Sequence, residues 1–204
     1  MYKNFVKRLF DIVASFFGII ILSPFLLILS IWIKCDSKGA VLFKQKRVGK
    51  NKTFFNILKF RTMYSDTPKD VPTHLLKDPN KMITKSGSFL RKYSLDELPQ
   101  IFNIFVGQMS IIGPRPALYN QDDLIAQRDK YGANNVVPGL TGYAQITGRD
   151  ELPIDEKAKK DGYYAKNISF KFDMEIFFKT ILRVFKASGV VEGEQENTHN
   201  ADEK

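Results

Sequence analysis

Asp96 and Glu97 are adjacent carboxylates in a chain of 204 residues whose 31 Lys and Arg outnumber its 22 Asp and Glu, for a net charge of +9. They stand upstream of Gly113-Pro114-Arg115-Pro116 and well after an uncharged apolar stretch long enough to enter a bilayer. A basic chain asks for an anionic partner, whether nucleic acid, phosphorylated substrate or an acidic membrane face. Carboxylates, a stiff arginine loop and a membrane segment together point to phosphoryl chemistry at a membrane. The pair also has a purely structural reading: Ser94-Leu95-Asp96-Glu97 fits a capping box, with Ser94 as N-cap and Asp96 favoured by the helix dipole. Pro99 complicates that reading, because a proline in the second turn orphans the Leu95 carbonyl, and the helix then begins near Pro99 instead.

Arg115 lies between two prolines of fixed φ, so its guanidinium is presented from a loop with little backbone freedom, and its fork suits a pair of phosphate oxygens. A surface turn that happens to contain Arg reads the same way. Pro138-Gly139-Leu140-Thr141-Gly142, running through Gln145 and Gly148 to Arg149, reads as a glycine-rich loop whose N–H groups could approach an anion. Tyr163 and Tyr164 could stack on a nucleobase or sugar, or belong to the core or a membrane interface. His74 and His199 lack metal-ligand spacing, which argues against zinc and makes magnesium, bound by oxygen, the expected metal. The single cysteine, Cys35, excludes an intramolecular disulfide and suits a reducing compartment.

The expected architecture is α+β and mainly helical. Residues 12–33 carry no charge and would extend roughly 33 Å as a helix, against a hydrocarbon core of about 30 Å. Ser23-Pro24 falls near the midpoint and predicts a break. Lys3, Lys7 and Arg8 precede the run, and Lys34, Lys38 and Lys44 follow it, so both ends read as cytoplasmic. A re-entrant helix-break-helix meets both constraints; a kinked full span and a buried soluble helix are the alternatives. The domain reading is an anchor over 1–36, a cytosolic catalytic domain over 37–191 and a disordered acidic tail over 192–204. Within the catalytic domain, 41–48 and 53–60 read as a β-hairpin and 64–88 as a loop with at most a short helix. Leu98, Ile101, Phe102 and Phe105 predict a helix ending at Gly107, with Asp96 and Glu97 at its start. Residues 173–187 predict an amphipathic helix with Met174, Phe177, Phe178, Ile181, Leu182 and Phe185 on one face, lying either on anionic lipid or on the core.

Taken together, these residues resemble the monotopic phosphoglycosyl transferases, small bacterial sugar transferases that begin glycan assembly on a polyprenyl carrier. The likeness starts at Lys7-Arg8-Leu9-Phe10-Asp11 and the Ser23-Pro24 break. It continues through Phe43-Lys44-Gln45, Lys59-Phe60-Arg61-Thr62-Met63 and Leu90-Arg91 to Ser94-Leu95-Asp96-Glu97-Leu98-Pro99-Gln100. Met109-Ser110, Gly113-Pro114-Arg115-Pro116, Pro138 to Gly142, Ala144-Gln145, Gly148-Arg149, Tyr163-Tyr164, Asn167, Ser169 and Asp173 complete it. The resemblance implies transfer of a sugar-1-phosphate from a UDP-sugar to polyprenyl phosphate with release of UMP, dependent on Mg2+. It implies Asp96 as nucleophile and Glu97 as metal ligand or proton-transfer partner, both carboxylates standing in the metal site. Arg91, Arg115 and Arg149 are then the phosphate-binding residues. Lys59, Arg61, Gln145, Tyr163, Tyr164 and Asp173 are the further candidates for the nucleotide-sugar or lipid site. The implied location is the cytoplasmic face of a bacterial inner membrane, bound from one side and in contact with its lipids; homo-oligomerisation is compatible with it. Two positions depart from the family pattern: Val137 stands where Arg often precedes Pro-Gly, and Gln108 where an acidic residue often precedes Met-Ser. The sugar is expected to be an N-acetylated hexosamine, either 6-deoxy or with its 6-hydroxyl.

Four other readings compete. A non-catalytic membrane-surface protein would bind acidic lipid or a glycan enzyme through its basic faces. A two-carboxylate glycosidase needs its acid and base about 5 to 9.5 Å apart across a sugar, which is awkward for adjacent residues. Within the transferases, direct one-step transfer is the alternative to a covalent intermediate. Nucleic-acid binding has charge in its favour but no recognition motif, and no nucleic acid is expected as a partner.

Overall fold

A computed structural model describes residues 2–68, 78–148 and 152–186. Their fold is α+β and mainly helical. After a π-helical turn, Tyr2–Val6, comes the long helix α1, Lys7–Asp36. Strands β1 (Leu42–Val48) and β2 (Phe54–Phe60) pair antiparallel with Val48 opposite Phe54, as the hairpin reading predicts. Then follow α2 (Pro79–Met82), α3 (Lys85–Lys92), a 3-10 turn (Leu95–Glu97) and α4 (Gln100–Val106). Strand β3 (Ser110–Ile112) precedes α5 (Asp122–Tyr131), and β4 (Gly139–Thr141) returns to pair parallel with β3. Helices α6 (Tyr143–Gly148), α7 (Ile154–Lys166) and α8 (Phe170–Lys186) complete the domain.

Helix α1 occupies the stretch read as helix-break-helix. It runs through Pro24 without interruption. Proline removes the N–H that would bond the Ile20 carbonyl, but the Ser23 hydroxyl donates to that same oxygen at 2.8 Å, so the gap in the ladder is filled locally. One face of α1 packs on the domain from end to end. Near its start, Arg8 donates to the Ile104 and Phe105 carbonyls at the end of α4, and Asp11 accepts from the Ile111 N–H. Midway, Gly18 lies against Ile101, and further on Leu26, Leu29 and Ile33 form a buried cluster with Phe60 and Leu90. The opposite face leaves Val13, Phe17, Ile21, Leu27 and Ile28 exposed.

The remaining differences are local. Helix α3 starts inside the expected 64–88 loop, because Thr84 accepts from the Gly87 N–H as an N-cap and Asp36 accepts from the Ser86 N–H and hydroxyl. Residues 69–77 of that loop, and the expected tail, lie outside the described residues. Helix α8 begins three residues before the expected Asp173, where Ser169 Oγ accepts from the Phe172 N–H. Its inward side carries Asp173 and Ile176, whereas Phe177, Phe178, Ile181 and Leu182 are exposed.

Candidate active site

Of the two helix starts read from the sequence, the structure has the one at Pro99: the helix begins at Gln100 with Pro99 as its N-cap residue, and Asp96 and Glu97 are not in its first turn. The two carboxylates sit in the preceding 3-10 turn. Ser94 adopts a left-handed backbone (φ +54°) and makes no side-chain cap bond, so the capping-box reading is also corrected. The turn is placed by its apolar residues: Leu95 and Leu98 pack against the cluster of Leu26, Leu29, Ile33, Phe60 and Leu90. With the leucines held by α1, the carboxylates face β2 and the Arg115 loop.

Strand alternation puts Lys59 on the same face of β2 as Phe55 and Ile57, which are buried. Lys59 Nζ reaches Glu97 Oε1 at 2.7 Å and stands 3.7 Å from Asp96 Oδ2. Arg115 clasps Glu97 from the other side, Nη2 to Oε1 at 2.6 Å and Nη1 to Oε2 at 3.3 Å. Arg91, at the end of α3, donates from Nε to the Thr62 hydroxyl at 2.9 Å and its charge acts on Asp96. Both carboxylates are mostly covered, with side chains 14% (Asp96) and 19% (Glu97) exposed. Burial pushes the Asp96 carboxyl above its ordinary value against the pull of Lys59. Burial also acts to raise Glu97, but Arg115 and Lys59 outweigh it and hold that carboxyl well below the carboxylate range. The dyad is therefore asymmetric. Glu97 is locked as an ion between two cations, while Asp96 makes no hydrogen bond among the described residues.

The backbone that carries Arg115 depends on close approach of glycines. Strand β4 runs so close to the chain just past β3 that a Cβ on Gly139 would stand 2.0 Å from the Gly113 nitrogen. The Gly139 N–H donates to the Pro114 carbonyl and the Gly113 N–H to the Thr141 carbonyl. Pro138–Gly142 is thus strand and packing contact; the Gly139 N–H that an anion-binding loop would present is spent on the Pro114 carbonyl. Gln145, on α6, has both amide atoms buried and unbonded among the described residues, a ready donor-acceptor pair for a polar ligand. Arg149 lies outside the described residues.

The other candidates do not converge on the dyad. Arg61 is buried and its guanidinium bonds the carbonyls of Ile33, Ser37 and Lys38, closing the C-terminus of α1, so its role is to fasten that helix. Asp173 is buried at the opposite end of α1, accepting from Tyr2, Lys7 and Tyr164. Tyr164 belongs to the same core network, its hydroxyl also lying 3.1 Å from the Ile112 carbonyl. Tyr163 is exposed and packs against Tyr143 and Phe172. Residues outside the sequence reading also build the site. Asn103, buried in α4, bonds the Leu58 N–H and the Asn56 carbonyl and so fixes β2 with Lys59 against the dyad turn. The Gln108 N–H donates to the Asn103 carbonyl, and its side-chain oxygen accepts from Asn103 Nδ2 at 2.7 Å, a task an acidic side chain could equally perform. A polar Asn within the apolar run Ile101 to Val106 was the available signal.

An apolar helix long enough to enter a membrane, packed on a small α+β domain that holds a largely covered Asp-Glu pair among three cations, defines a class of membrane-associated α+β protein. Comparison with known proteins narrows this. Residues 2–187 match the family model described as bacterial sugar transferase, and the chain belongs to that family. It is 36% identical to the uncharacterized sugar transferase EpsL of Bacillus subtilis, over 98% of this chain and 95% of that protein. It is 37% identical to a UDP-N-acetylgalactosamine-undecaprenyl-phosphate N-acetylgalactosaminephosphotransferase of Aeromonas hydrophila, over 91% of this chain and 45% of that one. An uncharacterized sugar transferase of Haemophilus influenzae is likewise 37% identical, over 92% of this chain and 42% of its own length. The chain thus spans less than half the length of the last two relatives.

Proposed function

We infer that the protein transfers a sugar-1-phosphate from a UDP-sugar to polyprenyl phosphate, releasing UMP, at the cytoplasmic face of a bacterial inner membrane. The observation that carries this reading is the asymmetry of the dyad. A carboxylate nucleophile needs free lone pairs and a desolvated setting, and Asp96 has both. Its oxygen attacks the β-phosphorus, the bond from that phosphorus to the bridging oxygen breaks, and UMP leaves. An oxygen of polyprenyl phosphate then attacks the same phosphorus and frees Asp96. Lys59, Arg91 and Arg115 bring cationic charge to the place where phosphoryl charge gathers. Glu97, held by two of them, keeps those cations aligned. Arg149 and Gln145 are assigned to the diphosphate and the nucleotide-sugar.

Magnesium fits the donor set. The site offers oxygen ligands only, and Mg2+ is commonly held by one or two carboxylates together with substrate phosphates. Among the described residues no third His, Cys, Asp or Glu joins the pair. Asp96, with Glu97 beside it, would hold the ion, which would supply charge neutralisation at the diphosphate.

The packing of α1 supports attachment to one side of the membrane. Both its ends are tied to the same domain, by Arg8 and Asp11 at one and Arg61 and Asp36 at the other. The exposed apolar residues of α8 extend the lipid-facing surface.

The test is UMP release from a panel of UDP-sugars with undecaprenyl phosphate. The wild-type chain releases UMP and Asp96→Asn does not; undiminished release by Asp96→Asn would overturn the assignment of the nucleophile. Without acceptor lipid, a labelled phosphosugar accumulates on Asp96. Its absence under single-turnover conditions would favour one-step transfer.

A further inference from the structure

Two prolines leave the Arg115 loop with two missing N–H groups, so the loop must be held by its carbonyls. Four consecutive carbonyl oxygens each accept from a different donor. Pro114 O takes the Gly139 N–H at 2.9 Å and Ala117 O takes the Val48 N–H at 2.9 Å. Between them, Arg115 O takes Arg128 Nη2 at 2.9 Å and Pro116 O takes Arg47 Nη1 at 3.0 Å.

The Arg128 contact is costly to build. Arg128 on α5 is 4% exposed, and it is paired with Asp161 on α7, itself 1% exposed. Its Nε donates to Asp161 Oδ2 at 2.9 Å, and Nη2 serves both that oxygen and the Arg115 carbonyl. A buried ion pair of this kind adds little net stability over apolar packing, so a role in orientation explains it better. The orientation it sets is specific. Pro114 and Pro116 have fixed φ, and the direction of the Arg115 carbonyl reports the ψ angle of Arg115. Fixing that carbonyl therefore fixes the side-chain root of the residue that clasps Glu97.

We propose that Arg128, oriented by Asp161 and seconded by Arg47, is a positioning residue that sets where the Arg115 guanidinium stands against Glu97. The effect on rate rests on the transfer reading above; the effect on Arg115 does not. Arg128→Lys keeps the charge but has a single Nζ in place of the fork, so it cannot hold Asp161 and the carbonyl in the same geometry. Asp161→Asn leaves the guanidinium without its orienting charge.

The full-length chain in detergent micelles, labelled with 15N-arginine, gives a substrate-free measurement. The Nε–H resonance of Arg115 is assigned by its loss in Arg115→Lys. In Arg128→Lys and Asp161→Asn this resonance broadens or disappears, while near-ultraviolet circular dichroism stays native. UMP release then falls on the order of 10- to 100-fold in kcat, with KM for the UDP-sugar little changed. Arg47→Lys, on a separate element, weakens the same resonance and supplies the measurement should the α5 or α7 variants fail to fold. An unchanged Arg115 resonance in folded variants overturns the proposal, as does its loss with wild-type kcat. A wild-type chain that releases no UMP from any UDP-sugar, yet loses the resonance on substitution, refutes the transfer reading and supports the positioning.

Discussion

Asp173 separates a structural from a catalytic role most cleanly. Its carboxylate is 2% exposed and takes Tyr2 Oη at 2.6 Å and Lys7 Nζ at 2.7 Å on one oxygen and Tyr164 Oη at 2.8 Å on the other. Asp173→Asn preserves the shape but removes the charge bonded to the Lys7 ammonium, whose side chain is 12% exposed and which keeps only the charge of Asp11 beyond bonding distance. Breaking a buried pair by removing one partner costs about 3–5 kcal/mol, and the nearness of Lys7 to the surface places this case at about 3 kcal/mol. For a chain of this size each kcal/mol moves the midpoint by about 2–4 °C, so the unfolding temperature falls by about 6–12 °C. Thermal unfolding followed by circular dichroism in detergent at pH 7 reads this directly. Adding Lys7→Met recovers most of the loss, because the orphaned cation is then gone. UMP release measured well below both midpoints stays close to wild type. A variant that unfolds at the wild-type temperature yet loses activity would refute the reasoning and return Asp173 to the substrate site.

The dyad predicts opposite pH behaviour for its two members. Asp96 is raised in the fold, so stability falls as pH climbs through the window between its unfolded and folded values. Asp96→Asn therefore raises the unfolding temperature at pH 7, and the gain fades below about pH 4. Glu97 is held low, so its contribution is complete above the ordinary glutamate value and is lost as pH falls through its folded value. Glu97→Gln lowers the unfolding temperature at pH 7, and the deficit shrinks only below about pH 4; equal shifts of one sign in both variants would contradict the asymmetry. Gly139→Ala forces β4 away from Gly113 and cuts UMP release far more than it perturbs helix content, read by circular dichroism beside the assay. Cys35 is exposed at the end of α1, and maleimide reaches it and a cysteine introduced at position 4 from the cytoplasmic side alone; labelling of either from outside would reject the one-sided attachment.

The hairpin was legible from sequence because alternating strands and a Gly-containing turn are signals a dozen residues long. The apolar helix was legible for the same reason, though not its continuity. Pro24 argued for a break, and only the hydrogen bond from Ser23 to the Ile20 carbonyl kept the ladder filled. Strands β3 and β4, three residues each and nearly thirty residues apart, carry no periodicity to detect, and their pairing appears only when Gly113 meets Gly139.

For the site, residue types in sequence were enough to single out Asp96, Glu97 and Arg115, since phosphate chemistry asks for those groups in a basic, membrane-leaning chain, while Lys59 and Arg91 came in with the family resemblance. Sequence alone also tied them to a family, through many ordered motifs. Their division of labour was decided by tertiary structure. Two adjacent carboxylates are equivalent along the chain, and become different only because β2 and the Arg115 loop approach Glu97 from separate parts of the fold. Arg61, Tyr164 and Asp173 looked like ligands for the same reason that Arg115 did, being polar residues in recognisable motifs. Folding spent them on the ends of α1, because a polar group buried in a core must find its partner there.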